Sequence, residues 1–320
     1  MRLTMDGGGT KIVAVLYDDD YAPVAVGRSG GVNSVQNTPE NVREHIRQCL
    51  DQVLAGGVRP ERIDAVLAGD RKSLEEDLKR RGIDTPVNYL FEGYAGLLAG
   101  ACRNTGFLLL SGTGSDTFYM KDGKNVSCIG GWGPVLGDQG SGVWIGLQAI
   151  RSVARAANGW GEKTLLTETL DRACREIFGG SVYQSIVSSP APYAAAARMV
   201  PAVAEAARAG DETALCIFRR AGELMARQME PILQRHPEIE DREVILCGGA
   251  WKAHEAMLDS CQTYLRRIDP AFTLHRPMFE HVCAGMVLNM LGEGMSGDDI
   301  RHTLAEKEPQ FIINREEALL

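Results

Sequence analysis

The amino-acid sequence predicts an α/β protein built from two related halves. Segments typical of strands alternate with segments typical of helices, a pattern that favours a sheet with parallel strands. A strand–glycine turn–strand unit that starts at Leu3 is repeated at Leu108, and an internal repeat of this kind indicates a pseudo-twofold architecture. The chain has 320 residues, more than one hydrophobic core usually holds, so two domains are expected.

Residues 1–105 are predicted to form the N-terminal domain. Thr38 and Pro39 mark the start of a helix, because a threonine side chain can cap the first turn and proline is tolerated at its first position. In chain order the predicted elements are strands Arg2–Met5, Ile12–Tyr17 and Pro23–Arg28, a helix from Pro39 to about Leu54, strand Ile63–Leu67, a helix near Ser73–Arg81, strand Val87–Leu90 and a helix over Gly93–Arg103.

Residues 106–293 are predicted to form a larger C-terminal domain in which the same pattern restarts. Its first three strands are expected at Phe107–Leu110, Asp116–Lys121 and Val126–Ile129. After Gly140 the chain is expected to be largely helical to about His236, and then to form strand Glu243–Cys247 and helices on either side of His275. The amphipathic segment 294–320 is expected to pack back on the first domain.

Two glycine turns occupy equivalent places in the two halves. They are Asp6–Gly7–Gly8–Gly9–Thr10–Lys11 and Ser111–Gly112–Thr113–Gly114–Ser115. A simple hairpin explains either turn alone, because glycine adopts positive φ without steric cost. Their equivalent positions favour a shared function, in which the backbone N–H groups of both turns bind one polyphosphate. Asp6, at the end of its strand, can hold a hydrated Mg²⁺ through its carboxylate.

Two further glycine-rich segments stand out. The densest, Gly130–Gly142, contains Trp132 and Asp138, and an aromatic ring beside a carboxylate suits a sugar with an apolar face and a polar rim. Asp138 can alternatively cap the helix that follows it. Gly248–Gly249, after a strand, indicates either a strand-to-helix turn or a close approach of the backbone to a nucleobase or ribose.

Composition and missing motifs exclude several classes of protein. A formal charge of −8 without a basic block argues against nucleic acid as a partner. The P-loop, protein-kinase and dinucleotide-binding motifs do not occur in the sequence. Eight dispersed cysteines fit a reducing compartment, and no apolar run approaches the roughly 20 residues of a membrane helix. Because a strand is predicted from Arg2, no signal peptide is expected, and the predicted location is the cytoplasm.

The four motifs DGGGTK, SGTGS, GGWGPVLGDQGSG and GGAWK, in this order and at these separations, resemble those of the N-acetylglucosamine kinases. These kinases belong to the wider BadF/BadG ATPase family within the superfamily of sugar kinases, actin and heat-shock chaperones. The resemblance extends from residue 3 to about residue 292. It implies two ribonuclease H-like (actin-like ATPase) domains that face a central cleft, ATP and Mg²⁺ as cofactors, and phosphorylation of N-acetylglucosamine or a related amino sugar at the 6-hydroxyl. It also implies a possible homodimer.

The resemblance further implies roles for individual residues. Glu92 stands where the family has its catalytic aspartate, and it is the expected general base, although a carboxylate at a helix start can also simply favour the helix dipole. Asp6 would serve Mg²⁺. The residues expected to contact ATP are Gly8, Gly9, Thr10, Lys11, Gly112, Thr113, Gly114, Gly248 and Gly249. The residues expected to contact the sugar are Asn33, Ser115, Gly131, Trp132, Gly133 and Asp138.

Two other functions remain open at this point. The first is an ATP-driven activator of the kind that serves 2-hydroxyacyl-CoA dehydratases, which shares a cysteine-bound iron–sulfur cluster across a dimer. The second is a non-catalytic sugar-binding sensor, which the glutamate in place of the family aspartate suggests. The segment around Trp132 favours the kinase over the activator.

Overall fold

The computed structural model describes residues 1–33 and 37–314, and within them the chain divides into two compact units. The first unit contains residues 1–105, 121–123 and the chain from 276 onward, and the second contains residues 106–120 and 124–275. The division at residue 106 coincides with the predicted boundary. Residues 276–293, however, group with the first unit rather than with the second.

A five-stranded mixed sheet forms the centre of the first unit. Its strands are β1 (Arg2–Gly7), β2 (Lys11–Tyr17), β3 (Pro23–Gly30), β4 (Arg62–Leu67) and β5 (Val87–Leu90). The strand order is β3-β2-β1-β4-β5. β1 pairs with β2 in the antiparallel sense, whereas β1 with β4 and β4 with β5 are parallel.

The same part of the chain also forms three helices: α1 (Pro39–Val53), α2 (Arg71–Arg80) and α3 (Glu92–Ala101). The predicted start of α1 is confirmed, because Thr38 Oγ1 accepts a hydrogen bond from the Asn41 N–H at 3.3 Å. Ile46 and Leu50 of α1, one turn apart, and Leu74 of α2 are fully buried in the core that covers the sheet.

The sheet of the second unit repeats this topology. Its strands are β6 (Gly106–Ser111), β7 (Ser115–Lys121), β8 (Lys124–Gly130), β9 (Glu243–Cys247) and β10 (Thr273–His275). The order β8-β7-β6-β9-β10 corresponds strand by strand to that of the first unit, with β6–β7 antiparallel and β6–β9 and β9–β10 parallel. The strand at His275 was not predicted, because three residues are too few to show a periodicity.

The second unit is otherwise helical, as predicted after Gly140. Its helices are α4 (Gly133–Leu136), α5 (Gly142–Ala157), α6 (Leu166–Phe178), α7 (Val182–Val187), α8 (Pro192–Ala197), α9 (Val200–Arg208), α10 (Glu212–Arg227), α11 (Glu230–Arg235) and α12 (Glu255–Ile268). A short 3-10 helix, Gly249–Lys252, follows β9. Phe107 of β6 and Phe218 of α10 are fully buried in the core of this unit.

After Arg276 the chain returns to the first unit. It forms a 3-10 helix (His281–Cys283), α13 (Ala284–Gly292), α14 (Gly297–Lys307) and a last 3-10 helix (Pro309–Phe311). The first of these helices packs against β1, β4 and α3, and Thr4 Oγ1 donates a hydrogen bond to the Val282 carbonyl at 2.7 Å. Within the described residues, no helix is both long and apolar enough to cross a membrane.

Candidate functional site

The turn Gly8–Thr10, which joins β1 to β2, is the first predicted phosphate loop. The Gly8 N–H donates to the Lys11 carbonyl at 2.9 Å, so this N–H is used within the hairpin. Among the described residues, no hydrogen bond occupies the N–H groups of Gly9 and Thr10. These two groups are therefore the ones that can bind an anion.

The segment after β3 supports this turn. The N–H groups of Val32 and Asn33 both donate to the Gly8 carbonyl, at 2.8 and 3.1 Å. Gly31 permits the approach, because a Cβ atom at this position would lie 1.9 Å from the Gly9 carbonyl oxygen. Asn33, a predicted sugar contact, is consequently held beside the predicted phosphate loop.

Asp6 and Glu92, the two predicted catalytic residues, lie close enough to interact electrostatically. Asp6 is near the end of β1, and Glu92 is the first residue of α3, directly after β5. β1, β4 and β5 run parallel, so their carboxyl ends meet at one edge of the sheet, where α/β proteins place their ligands. The parallel pairing of these strands therefore brings the two residues together.

Burial raises the pKa of both carboxyl groups above the ordinary values. For Glu92 the negative charge of Asp6 raises the pKa further. The Glu92 side chain nevertheless remains exposed, so protein atoms remove much of its hydration while water still reaches it. Phe91 occupies the N-cap of α3 without a capping hydrogen bond, and a negative charge on Glu92 is also favourable to the helix dipole.

His281 belongs to the same cluster, and the sequence did not reveal it. It opens the 3-10 helix that packs against β1 and α3. A protonated His281 ring opposes the rise in the pKa of both Asp6 and Glu92. The one signal that could have pointed to it is the polar pair Glu280–His281 directly before an apolar helix.

Lys11, predicted to contact ATP, forms an ion pair with Glu280. The Lys11 side chain is about half exposed, and exposed ion pairs contribute at most about 1 kcal/mol. The ammonium group can therefore leave Glu280 for a phosphate at little cost in free energy.

The turn between β6 and β7 is the second predicted phosphate loop. The Gly112 N–H donates to the Gly114 carbonyl at 2.9 Å. At the start of α5 the N–H groups of Gly142 and Val143 donate to the carbonyls of Gly112 and Thr113, at 2.8 and 3.2 Å. In the described part of the chain, the N–H groups of Thr113 and Gly114 have no hydrogen-bond partner, as is the case in the turn of the first unit.

A cavity of about 560 Å³ lies beside this turn, within the second unit. Gly248 has a φ of +104°, and a Cβ atom there would lie 2.2 Å from the Ser111 carbonyl oxygen, so the chain after β9 passes directly over the turn. The cavity is lined by Gly112, Thr113, Gly142, Ala197, Val200, Pro201, Ala204, Arg208, Gly249, Ala250, Lys252 and Ala253. Its volume is that of a small-ligand site, and it unites three predicted ATP contacts.

Two other cavities of the second unit, of about 520 and 660 Å³, contain none of the predicted site residues. The smaller lies between α10 and α12, and the larger lies between α5 and the start of α10. Size alone therefore does not identify the site, and the glycine turn does.

Gly131 and Ser115 fix the start of the glycine-rich segment. The Gly131 N–H donates to the Ser115 carbonyl at 3.2 Å. Ser115 itself is fully buried, and its hydroxyl donates to the Gln139 carbonyl at 3.0 Å. The Ser115 side chain thus holds the far end of the same segment.

The side chain of Trp132 is 73% exposed. Val135 and Leu136, on the short helix α4 that follows, are equally exposed. Covering such apolar surface is favourable, which makes this segment suited to receive the apolar face of a sugar.

Asp138 belongs to the same glycine-rich segment, and its side chain is buried. Its carboxylate accepts hydrogen bonds from the N–H groups of Ser115 and Gly133. Burial raises the pKa of Asp138, and the two hydrogen bonds oppose that rise. The alternative in which Asp138 caps the next helix is wrong, because Ser141 caps α5 by accepting from the Trp144 N–H at 3.1 Å.

Across residues 1–33 and 37–314, no group of three or more His, Cys, Asp or Glu side chains is arranged to hold a metal ion. Mg²⁺ does not require such a group, because it keeps several waters and uses one or two carboxylates together with substrate phosphates. The half-buried carboxylate of Asp6, next to a phosphate-loop candidate and near Glu92, fits this ion.

A model of the family described as the BadF/BadG/BcrA/BcrD ATPase family matches residues 3–268. The N-acetylmuramic acid/N-acetylglucosamine kinase of Clostridium acetobutylicum is 28% identical over 172 residues, which are 51% of this chain. The match spans 56% of that relative, so the chain covers only about half of its length.

Two further proteins are similar over more of their length. The glucosamine kinase GspK of Vibrio cholerae is 24% identical over 226 residues, 68% of this chain and 74% of the relative. A crystal structure from Chromobacterium violaceum, named as a candidate N-acetylglucosamine kinase, is 25% identical with a TM-score of 0.67. That match covers 90% of this chain and 98% of the crystallised one.

Proposed function

Because the chain belongs to the BadF/BadG/BcrA/BcrD ATPase family, we propose that it is an ATP-dependent kinase that phosphorylates N-acetylglucosamine or a related amino sugar at the 6-hydroxyl. The observation that carries this proposal is the position of Glu92 beside Asp6 at the carboxyl edge of the first sheet. Two carboxylates next to a phosphate-loop candidate provide one group for the acceptor hydroxyl and one for the metal.

Phosphoryl transfer requires mainly positioning and neutralisation of charge. The open N–H groups of Gly9 and Thr10 in one unit, and of Thr113 and Gly114 in the other, can bind phosphate oxygens. Mg²⁺, when held by Asp6, would offset negative charge on the phosphates. Glu92 accepts the proton of the sugar hydroxyl as the hydroxyl attacks.

The choice of an amino sugar rests on the relatives and on the exposed apolar segment. The relatives from Clostridium acetobutylicum and Vibrio cholerae are kinases of N-acetylated and of free amino sugars, respectively. Trp132, with the exposed Val135 and Leu136 after it, offers an apolar surface to a sugar ring or its N-acyl group. We expect Asn33 to bind a sugar hydroxyl next to the Gly8–Thr10 turn.

The decisive experiment is a phosphorylation screen with MgATP and five sugars: N-acetylglucosamine, glucosamine, N-acetylmuramic acid, N-acetylmannosamine and glucose. Mass spectrometry should show the addition of one phosphate to at least one amino sugar, and NMR should place it at the 6-position. The 6-deoxy analogue of the best sugar is the matched control and should give no product. ATP hydrolysis that is the same with and without every sugar would refute the proposal.

The same preparation distinguishes the two other functions. An activator of the dehydratase type would contain iron and hydrolyse ATP without sugar, whereas a sensor would bind the sugar without consuming ATP. Iron analysis and calorimetry of sugar binding decide between them. The homodimer and the cytoplasmic location also remain predictions, which sedimentation and cell fractionation test.

A further inference from the structure

The cavity beside the Gly112 turn has two chemically different ends. Val200 marks the end at the turn, because a Cβ atom on Gly142 would lie 3.6 Å from its Cγ2. Arg208 lies eight residues further along α9, which corresponds to about 12 Å at 1.5 Å per residue. Phosphates bound at the turn therefore direct the nucleoside toward Arg208.

The lining between the two ends is apolar. It includes Ala204 of α9 and Ala250 and Ala253 beyond β9, and small side chains leave space for a flat ring. Trp251 fixes this lining from behind, because its Nε1–H donates to the Leu109 carbonyl at 3.1 Å. A base bound between the alanines would have one edge toward the far end of the cavity.

Arg208 and Lys252 supply the polar groups of that far end. Arg208 donates one hydrogen bond to the Ala253 carbonyl at 3.3 Å and has further guanidinium donors. The Lys252 side chain is exposed, and it forms no hydrogen bond or ion pair with the described part of the chain. The side chains of Arg208 and Lys252 contain hydrogen-bond donors and no acceptor atom. Among the lining residues, Thr113 at the turn is the one whose side chain can accept a hydrogen bond.

Charged side chains that only donate hydrogen bonds match the purine bases unequally. Arginine and lysine pair with the O6 and N7 acceptors of guanine, whereas the 6-amino group of adenine is itself a donor and is recognised by asparagine or glutamine. We propose, on the basis of the proposed kinase function, that Arg208 and Lys252 set the nucleotide choice and that the pocket accepts 6-oxopurine nucleotides, GTP and ITP, alongside ATP.

The test compares kcat/KM for MgATP, MgGTP and MgITP at a saturating concentration of the best sugar. For the wild-type protein, the GTP and ITP values should lie within about tenfold of the ATP value. Arg208→Gln and Lys252→Gln replace a donor-only group with an amide that can also accept from adenine. Each should lower the ratio of the GTP and ITP values to the ATP value at least about tenfold.

Arg235→Gln is the matched control, because Arg235 is an exposed cation of the same unit outside the cavity, and it should leave the nucleotide ratios unchanged. A wild-type preference for ATP above about tenfold, or variants that lose ATP and GTP equally, would overturn the proposal.

Calorimetric binding of ADP, GDP and IDP without sugar separates this inference from the proposed kinase function. Comparable affinities for the three nucleotides without any sugar phosphorylation would refute the kinase and leave the pocket assignment standing. ADP binding more than about tenfold tighter than GDP and IDP would refute the pocket assignment, whatever the sugar screen shows.

Discussion

Glu92 combines two properties that a general base needs. It remains accessible to a hydroxyl, and burial together with the charge of Asp6 raises the pKa of its carboxyl above the ordinary value. A base works best when its pKa approaches the working pH, so this environment increases the basicity of the carboxylate while a nearby His281 limits the rise.

We predict that Glu92→Gln lowers kcat on the best sugar by about 10²–10⁴, because removal of a general base typically has an effect of this size. Calorimetry should show unchanged ATP affinity, and Glu92→Asp should retain part of the activity because it keeps the carboxylate. Glu240→Gln, an exposed acid of the other unit, is the control. Wild-type turnover by Glu92→Gln would show that Glu92 only favours the helix dipole of α3.

The sequence could locate a site residue only where a local pattern, such as a predicted strand beside it, fixes its position. Asp6 and Glu92 each follow a predicted strand, so the position of each at a strand end followed from the sequence, whereas their proximity depends on the parallel pairing of β1, β4 and β5. His281 enters the cluster through the return of the chain after Arg276, which no local pattern shows. Arg208 lies in no motif, Lys252 ends the motif GGAWK without having been predicted as a contact, and the cavity that unites them depends on how α9 lies beside the segment after β9.

The hairpin between β1 and β2 depends on the segment that follows β3. The turn contributes two open N–H groups rather than three, because the Gly8 N–H closes the hairpin. The Gly8 carbonyl in turn accepts hydrogen bonds from the N–H groups of Val32 and Asn33. The sequence predicted the strands and the turn, whereas this use of the individual backbone groups depends on the tertiary contact with Gly31.

We predict that Gly31→Ala weakens both the fold and the activity, because its Cβ atom would lie 1.9 Å from the Gly9 carbonyl oxygen and would push the turn away. Overpacking of this kind typically lowers stability by about 1–3 kcal/mol. Urea unfolding and the KM for MgATP measure the two effects. Gly292→Ala, where a Cβ atom would meet nothing within 4 Å, should change neither, and an unchanged Gly31→Ala variant would contradict the account of the turn.

The end of the described chain contains a buried acid. Glu308 is fully buried after α14, and its Oε2 accepts a hydrogen bond from Gln310 at 2.5 Å. Its Oε1 has no hydrogen-bond partner among the described residues. Burial raises the pKa of Glu308 from 4.5 to about 7. The unfolded chain therefore releases this proton at a lower pH than the folded protein.

The contribution of Glu308 to the free energy of unfolding is complete below about pH 4.5 and is lost as the pH rises toward 7. The cause is that ionisation of the buried carboxyl group is unfavourable in the folded protein. A shift of this size corresponds to roughly 3 kcal/mol. We predict that Glu308→Gln raises the free energy of unfolding at pH 8 and changes it little at pH 5, as measured by urea unfolding. The exposed neighbour Glu306→Gln should have no pH-dependent effect, and an equal effect of Glu308→Gln at both pH values would contradict the prediction.

The route of the chain through the first unit has a consequence for protein synthesis. Residues 1–105 leave the ribosome before the second unit, but Val282 and α13, which cover β1 and β4, are translated after it. The second unit is complete at residue 275 and can fold while the first still exposes apolar strands. Exposed apolar strands of this kind make a nascent chain prone to aggregate. The N-terminal sheet is thus made before the second unit and finished after it.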